Sequence, residues 1–362
     1  MPEGMTVYER LAERFSSTPN GLPRTRSGVE LRLLARMFSA EQAALAAAMH
    51  LYREEPEVIA ERAGVDAAAA RETLKGMARR GLVYAGRGER SLTYGLLPFV
   101  VGSFEESLPY FDTEMAQLFE EMVQESRGVG MLDQVPAVHR VIPVEQSVSA
   151  EIEVLPYEAA SKLLESATSF GIRECICRKQ RSLIGHPCQH ERFNCIAFSE
   201  RPGAFDSSVN ERAVSREDAF RILREAEEEG LVHSVSNHQA GHFYICNCCT
   251  CCCGIARGLV EFGQHHALAK SGFLSTVDAA LCSGCGSCVE RCPFDALSVV
   301  DDVCEVDEVR CMGCGLCSVA CPTEALVLTR RKQGELAKPP LDSNDWMAQR
   351  ANSRGLRVED LI

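Results

Sequence analysis

One pattern of cysteines occurs twice near the C-terminal end of this 362-residue chain and limits what that region can fold around. The copies span residues 281–293 and 310–322, and both read Cys-x2-Cys-x2-Cys-x3-Cys-Pro. The cysteines are Cys282, Cys285, Cys288 and Cys292 in the first copy and Cys311, Cys314, Cys317 and Cys321 in the second. Thiolates at this spacing can wrap a tight loop around a metal cluster, and two glycines in each loop let the backbone approach it. The pattern predicts two sulfur-ligated clusters.

Residues 277–328, which contain both copies, resemble the two-cluster ferredoxins of bacteria. The resemblance implies two [4Fe–4S] clusters, with the last cysteine of each copy ligating the cluster of the other copy. The ligands would be Cys282, Cys285, Cys288 and Cys321 for one cluster, and Cys311, Cys314, Cys317 and Cys292 for the other. Zinc fits less well, because it favours Cys-x2-Cys knuckles separated by longer loops. Cys304 lies outside both copies and is expected to be a small buried side chain.

Ten further cysteines lie in the middle of the chain. They are Cys175, Cys177, Cys188, Cys195, Cys246, Cys248, Cys249, Cys251, Cys252 and Cys253. Six thiols within eight residues do not suit an ordinary core, so a subset of the ten is predicted to bind a soft metal. One interpretation is one or two more [4Fe–4S] clusters, with a first ligand set made of Cys175, Cys177, Cys188 and Cys195. The other is structural zinc. The cysteines of residues 175–195 and those of residues 246–253 could also combine around a single metal centre.

Histidines and basic residues accompany these cysteines. His186, His190, His238 and His242 are possible replacements for a thiolate ligand, although such residues more often lie at the surface or in hydrogen bonds. The charges of Arg178, Lys179 and Arg181 could offset an anionic cluster, and a solvated turn is the alternative.

The composition indicates the cellular compartment of the protein and argues against nucleic acid as its partner. The chain has 19 cysteines, but it shows no secretory leader and no apolar run long enough to span a membrane. These features predict a cytoplasmic protein whose thiols are reduced and available to metals. The formal net charge of −13 weighs against strong nucleic-acid binding, because little would be gained from counterion release.

The N-terminal region contains no cysteine and is predicted to be mainly helical. Helices over 40–50, 56–64 and 67–80 precede two short strands, an order that is typical of a winged helix-turn-helix. Residues 57–96 resemble MarR-like winged-helix domains. If this domain bound DNA, the contacts would come from basic residues on the third helix and the wing, namely Arg71, Lys75, Arg79, Arg80, Arg87 and Arg90.

The predicted fold class is α+β with several domains. The expected segments are a winged-helix domain (1–105), a helical connector (106–145), a cysteine-rich metal-binding α+β domain (146–270), a ferredoxin-like two-cluster module (271–330) and a flexible or docking tail (331–362). Within the third segment, a helix through Leu163, Leu164, Ala167 and Phe170 is expected to lead into Cys175. The layout resembles uncharacterised multidomain ferredoxin-like proteins of anaerobes, which supplies no substrate.

The sequence predicts an iron–sulfur electron-transfer protein that exchanges electrons with a redox partner protein. No nucleotide-binding or nucleophile-elbow motif is present, so an electron carrier is favoured over a stand-alone oxidoreductase. Two alternatives remain open. One is a transcription regulator whose cluster state controls the winged helix, and the other is a reductase that acts on a small molecule at the middle centre.

Overall fold

The computed structural model describes residues 6–89, 91–148 and 152–357. The wing residue Arg90 lies outside these ranges. The chain divides into one unit made of Met1–Val135, Gln180–His186 and Met347–Ile362, and a second made of Pro136–Lys179 and Pro187–Trp346. Helices and strands are both present in quantity, which confirms a mixed multidomain architecture. No helix in the described ranges has the length and apolar character needed to cross a bilayer.

The first unit begins with seven helices and one hairpin. The helices are α1 (Val7–Ser16), α2 (Val29–Met37), α3 (Ala40–Ala47), α4 (Pro56–Ala63), α5 (Ala67–Arg79), α6 (Phe104–Glu106) and α7 (Thr113–Ser126). The strands β1 (Val83–Arg87) and β2 (Leu92–Leu96) pair antiparallel.

Local signals explain where α4 and α5 begin and end. Gly64 has a φ of 70° and ends α4, because this left-handed conformation is easy only for glycine. The Asp66 carboxylate accepts hydrogen bonds from two backbone N–H groups in the first turn of α5. Leu74 and Met77 then place the apolar face of α5 in the core. Both helices therefore follow the sequence prediction closely.

The second unit is built on a seven-stranded sheet. Its strands are β3 (His139–Val141), β4 (Ser169–Arg173), β5 (Cys195–Ser199), β6 (Glu211–Val214), β7 (Val232–Ser236), β8 (Tyr244–Cys248) and β9 (Leu268–Ala269). Their spatial order is β6-β4-β5-β8-β7-β3-β9, and every pair is antiparallel except β3–β9. Helices α8 (Ala160–Glu165) and α10 (Arg216–Glu229) pack on one face with Ile172, Ile196 and Ile245.

The helix predicted to lead into Cys175 is wrong in its second half. Helix α8 ends at Glu165, and Phe170 lies in strand β4. Phe170 and Ile172 alternate along this strand and point into the core, which is strand periodicity over too few residues to stand out in the sequence. Cys175 follows the strand directly and precedes helix α9 (Ile176–Leu183).

The repeated cysteine motifs follow helix α11 (Gly254–Val260) in two pseudo-equivalent halves. Each motif ends in a short helix, α12 (Ser287–Arg291) or α13 (Leu316–Val319). Strand β10 (Phe273–Val277) pairs with β13 (Leu326–Arg330), and β11 (Leu297–Val300) pairs with β12 (Val303–Val306). This pair of two-stranded antiparallel sheets fits the expected ferredoxin-like module.

The last helix, α14 (Ser343–Ser353), lies in the segment predicted as a flexible or docking tail. Within the first unit, the fully buried Arg350 guanidinium donates hydrogen bonds to the carbonyls of Pro19, Gln134 and Met131. Within the second unit, Trp346 Nε1 donates to the Ala137 carbonyl at 2.9 Å.

Candidate metal centres

The eight motif cysteines line two separate cavities in the second unit. One small cavity is lined by Cys282, Cys285, Cys288 and Cys321 together with Cys304. Another is lined by Cys292, Cys311, Cys314 and Cys317. We call them the outer and the inner cavity. Each cavity brings three cysteines of one copy together with the last cysteine of the other copy.

The backbone around both cavities fits an anionic iron–sulfur cluster. Cys304 N–H donates to Cys282 Sγ and Ala296 N–H donates to Cys292 Sγ, each at 3.4 Å. Gly284 has a φ of 66°, and a Cβ built there would lie 2.6 Å from the Asp302 carbonyl oxygen. Only glycine therefore fits this loop, which lies beside the cavity. These features provide donors to sulfur and close backbone approach.

The two cavities differ in exposure. Cys285 of the outer cavity is exposed, whereas Cys311, Cys314 and Cys317 of the inner cavity are buried. Burial raises the pKa of Cys317 to about 11. The thiolate form that ligates iron therefore needs nearby positive charge, which metal ions supply.

Cys304 is 4% exposed and packs in the core of this module, as expected for a cysteine outside both motifs. Its Sγ lies 3.5 Å from Cys288 Sγ, so it adjoins the outer cavity.

Six of the middle cysteines form a closed ring of thiols. Each sulfur interacts with two others, and the interacting pairs run in the order Cys175, Cys177, Cys253, Cys248, Cys246, Cys195 and back to Cys175. We call this set the six-cysteine ring.

The sheet register explains how the ring forms from distant residues. Cys246 and Cys248 lie two residues apart on β8, so they share the face opposite Ile245 and the core. Ile196 of β5 pairs with Ile245 of β8, and this register brings Cys195 beside Cys246. Arg173 at the end of β4 pairs with Cys195, so the chain leaves β4 into Cys175 next to the same point.

The other four middle cysteines form a compact group. The Sγ atoms of Cys188, Cys249, Cys251 and Cys252 all lie within 4.8 Å of one another, and the Cys251–Cys252 distance is 3.8 Å. Four sulfurs bound tetrahedrally at about 2.3 Å to one zinc ion would be about 3.8 Å apart. We call this set the four-cysteine group. Among the described residues, no three sulfurs of the six-cysteine ring are all this close to one another.

This division differs from the ligand set predicted with Cys175, Cys177, Cys188 and Cys195 together. Cys188 belongs to the four-cysteine group instead, because its loop packs against Leu231 and Cys249. The prediction also could not separate Cys248 from Cys249. These neighbours belong to different sites, because β8 ends at Cys248 and the chain then turns.

Arg178 supplies buried positive charge to both middle sites. It is 1% exposed and donates hydrogen bonds to the carbonyls of Glu191 and Asn247 and to Asn194 Oδ1, but to no carboxylate. Burial opposes its charge, yet the thiolates of Cys175 and Cys249 hold the pKa of Arg178 above its ordinary value. Since a buried cation needs a counter-charge, ionised thiolates are the partners available to it.

The pKa values of two thiols next to Arg178 shift in the opposite direction, downward. Hydrogen bonds from Cys177 and Cys195 lower the pKa of Cys175, and Arg178 lowers it further. Hydrogen bonds from Cys251 and Cys252 lower the pKa of Cys249 in the same way, again with help from Arg178. Each middle site therefore contains a sulfur that is predisposed to bind a metal as thiolate.

The remaining predicted residues have other surroundings. Lys179 lies near Glu174, and Arg181 pairs with Glu120. His186 is exposed, and His190 Nδ1 lies 3.4 Å from a Glu229 carboxylate oxygen. In the part of the chain that the structure describes, no histidine belongs to a compact group of possible metal ligands.

His238 and His242 stack on each other, with ring centroids 4.7 Å apart.

Comparison with known proteins identifies the C-terminal module. Residues 275–298 and 304–327 each match the family model described as a 4Fe-4S binding domain. A search of curated proteins and of solved structures finds no match to the chain. The two matches bear out the expectation of a two-cluster module, so this region carries two [4Fe–4S] clusters, and the four-cysteine group in the middle has the spacing to hold a further metal.

Proposed function

We propose that this protein takes electrons from a redox partner through its C-terminal module and delivers them to a metal centre in the six-cysteine ring. The [4Fe–4S] clusters supply one-electron transfer chemistry to the module. The observation that supports a route between the module and the ring is the position of Phe294. This buried side chain lines the inner cavity. It also lines a third cavity, which Cys248 and Cys253 of the ring line as well.

We assign the ligands of the two clusters by the cavities they line. The outer cluster would be held by Cys282, Cys285, Cys288 and Cys321, and the inner cluster by Cys311, Cys314, Cys317 and Cys292. Four protein interactions keep the loop around the inner cavity in place. They are Val144 N–H to Cys314 O, Ser147 Oγ to Gly315 O, Ser271 Oγ to Gly313 O and Arg331 Nη2 to Cys311 O.

The outer cavity is the side from which a partner would donate electrons. Exposed Leu281 and Val299 adjoin it, and exposed Asp278, Asp301 and Asp302 surround it with negative charge. An apolar patch with an acidic rim suits a transient partner that presents basic residues. Electrons would then pass from the exposed to the buried cluster and on toward Phe294.

We propose different metals for the two middle sites. The four-cysteine group has the spacing of a single tetrahedral ion, and zinc is the ordinary occupant of such a site. Two sulfurs bound at about 2.3 Å to one ion cannot be more than about 4.6 Å apart. No three sulfurs of the ring meet this limit among themselves, so the ring would hold an iron–sulfur centre with more than one metal.

We also propose that the N-terminal unit is a winged helix that docks to protein and does not read DNA. The order α4, α5, β1, β2 supports the winged-helix assignment. Three of its basic side chains already have partners, however. Arg71 pairs with Glu57, Lys75 pairs with Glu72, and Arg80 donates to the Met37 carbonyl. These contacts compete with phosphate and base contacts.

Crossed ligation makes a specific prediction for cysteine substitutions. Cys292→Ser and Cys317→Ser should each remove the same cluster signal, whereas Cys288→Ser and Cys321→Ser should each remove the other, because each pair shares one cavity. Anaerobic purification, iron and sulfide analysis and EPR of the reduced variants measure this. Cys304→Ser is the matched control and should keep both signals. Loss of the same signal from Cys288→Ser and Cys292→Ser would show uncrossed ligation instead.

The metal assignment predicts that zinc and iron respond to different substitutions. The purified protein should contain one zinc and more than about eight irons, since two clusters alone account for about eight. Cys249→Ser should remove the zinc and leave the ferredoxin irons, because all four sulfurs bind the same ion. Metal analysis by mass spectrometry tests this, with Thr250→Ser as a control in the same turn. A chain with no zinc, or with iron lost from Cys249→Ser, would contradict the assignment.

Phe294 provides a test of the electron path. Phe294→Leu keeps most of the buried apolar surface but removes aromatic contact between the inner cavity and the ring. Electron transfer from the reduced module to the ring centre should slow, while both ferredoxin signals persist. Rapid-freeze EPR after photoreduction measures the rate. Phe220→Leu, which changes a phenyl group at the sheet core, is the control. An unchanged rate in Phe294→Leu would rule out this route.

The docking proposal predicts that DNA upstream of the coding sequence is not bound specifically. Gel-shift experiments with oxidised and reduced protein should show no salt-sensitive specific complex in either state. Formation of such a complex, lost in Lys75→Gln and retained in Arg224→Gln, would support the regulator instead.

A further inference from the structure

A buried arginine in the central sheet has two guanidinium nitrogens without a hydrogen-bond partner among the described residues. Arg140 lies on β3 and is 2% exposed. Its Nε and Nη1 atoms are buried, and no protein group among the described residues accepts a hydrogen bond from either. Burying a charge without a partner is expensive, and burial lowers the pKa of Arg140. An anion bound at this position would supply the missing counter-charge.

Other buried arginines show what a protein-satisfied site looks like in this chain. Arg350 donates to three carbonyl oxygens, and Arg331 donates to two carbonyls and to the Glu335 carboxylate. Arg140 has only the ring of Tyr157, whose centroid lies 4.9 Å from its Cζ atom. Tyr157 is half-buried, so the guanidinium lies just behind a residue that reaches the surface.

Two histidines add unpartnered nitrogen atoms nearby. His238 is 5% exposed and its Nδ1 is unpaired, and both ring nitrogens of His242 are buried and unpaired. Burial lowers the pKa of His242 to about 4, and repulsion from His238 and Arg140 contributes. Burial also lowers the pKa of His238, and the charge of Arg140 adds to this shift. All three groups thus lie within electrostatic range of one another.

Neighbouring carboxylates do not neutralise this cluster. Glu158 interacts with Arg140 at a distance, but its two oxygens accept hydrogen bonds from Arg330 at 2.8 and 2.9 Å. Asp342 interacts with His238, but it accepts the backbone N–H groups of Asn344 and Asp345. Among the described residues, no carboxylate is therefore hydrogen-bonded to Arg140, and an anion from solution could supply that partner.

We propose that Arg140, His238 and His242 form a binding site for a small oxyanion, such as a carboxylate or an inorganic oxyanion. Carboxylate, sulfate and phosphate oxygens match the forked donors of a guanidinium group. The imidazoles complete the site as additional donors. This binding does not depend on the proposed electron transfer, and it would occur in a chain whose ring held zinc.

Hydrogen bonds lead from His139, the residue before Arg140, to the six-cysteine ring. His139, which interacts with both His238 and His242, contacts Ser234 Oγ through Nδ1 at 3.2 Å. Ser234 Oγ in turn lies 3.6 Å from Cys248 Sγ. The other nitrogen of His139 contacts Tyr244 OH at 2.7 Å. A bound oxyanion would thus lie near a histidine that is hydrogen-bonded toward the ring.

Calorimetric titration of the anaerobically purified, metal-loaded full chain tests the proposal. The probes are acetate, nitrite, sulfate and phosphate in a buffer low in chloride, which separates planar from tetrahedral ligands. At least one should bind saturably to the wild-type protein. Arg140→Gln should weaken that binding at least about tenfold, because a charge-assisted pair is lost. Arg224→Gln removes an exposed arginine of the same unit and should bind as wild type does.

Two further measurements keep the test decisive if Arg140→Gln folds poorly. His238→Gln should weaken binding of the same anion, and that anion should raise the unfolding temperature of wild type more than that of His238→Gln. The absence of saturable binding of any of the four anions would overturn the proposal. Binding that is equally tight in wild type, Arg140→Gln and His238→Gln would also overturn it.

Discussion

Charge balance around buried sulfur is the constraint on which the second unit depends. Every cysteine lies in or beside the outer cavity, the inner cavity, the six-cysteine ring or the four-cysteine group. Thiolates packed this closely repel one another unless cations lie among them. Arg178 supplies one such charge, but a single guanidinium cannot offset two groups of thiolates. Metal ions must provide the rest, so folding and metal loading of this unit are linked.

The C-terminal module could be predicted from the sequence because its ligands are local. Three of the four cysteines in each cavity lie within seven consecutive residues, and the fourth is marked by the proline that follows it. The helices α4 and α5 were predictable for a similar reason. Capping by Asp66 and termination at Gly64 act within one turn of the chain.

The middle sites could not be grouped from the sequence because their geometry is set by the sheet. Cys195 and Cys246 are 51 residues apart, and only the β5–β8 register makes them neighbours. Cys188 looked like a companion of Cys175 by spacing, yet its loop leads to Cys249. Nothing in the sequence marked Arg140 as a binding residue. An isolated arginine in an apolar stretch becomes informative only when its burial and missing partners are known.

The peptide bond between Cys248 and Cys249 joins the two middle sites directly. Cys248 ends β8 as a member of the ring, and Cys249 begins the turn that holds the four-cysteine group. On the far side of that turn, Cys252 belongs to the four-cysteine group and its neighbour Cys253 belongs to the ring. The turn is therefore fixed at both ends by the ring and in its middle by the group. A metal bound at either site would therefore hold a stretch of backbone that also carries ligands of the other site.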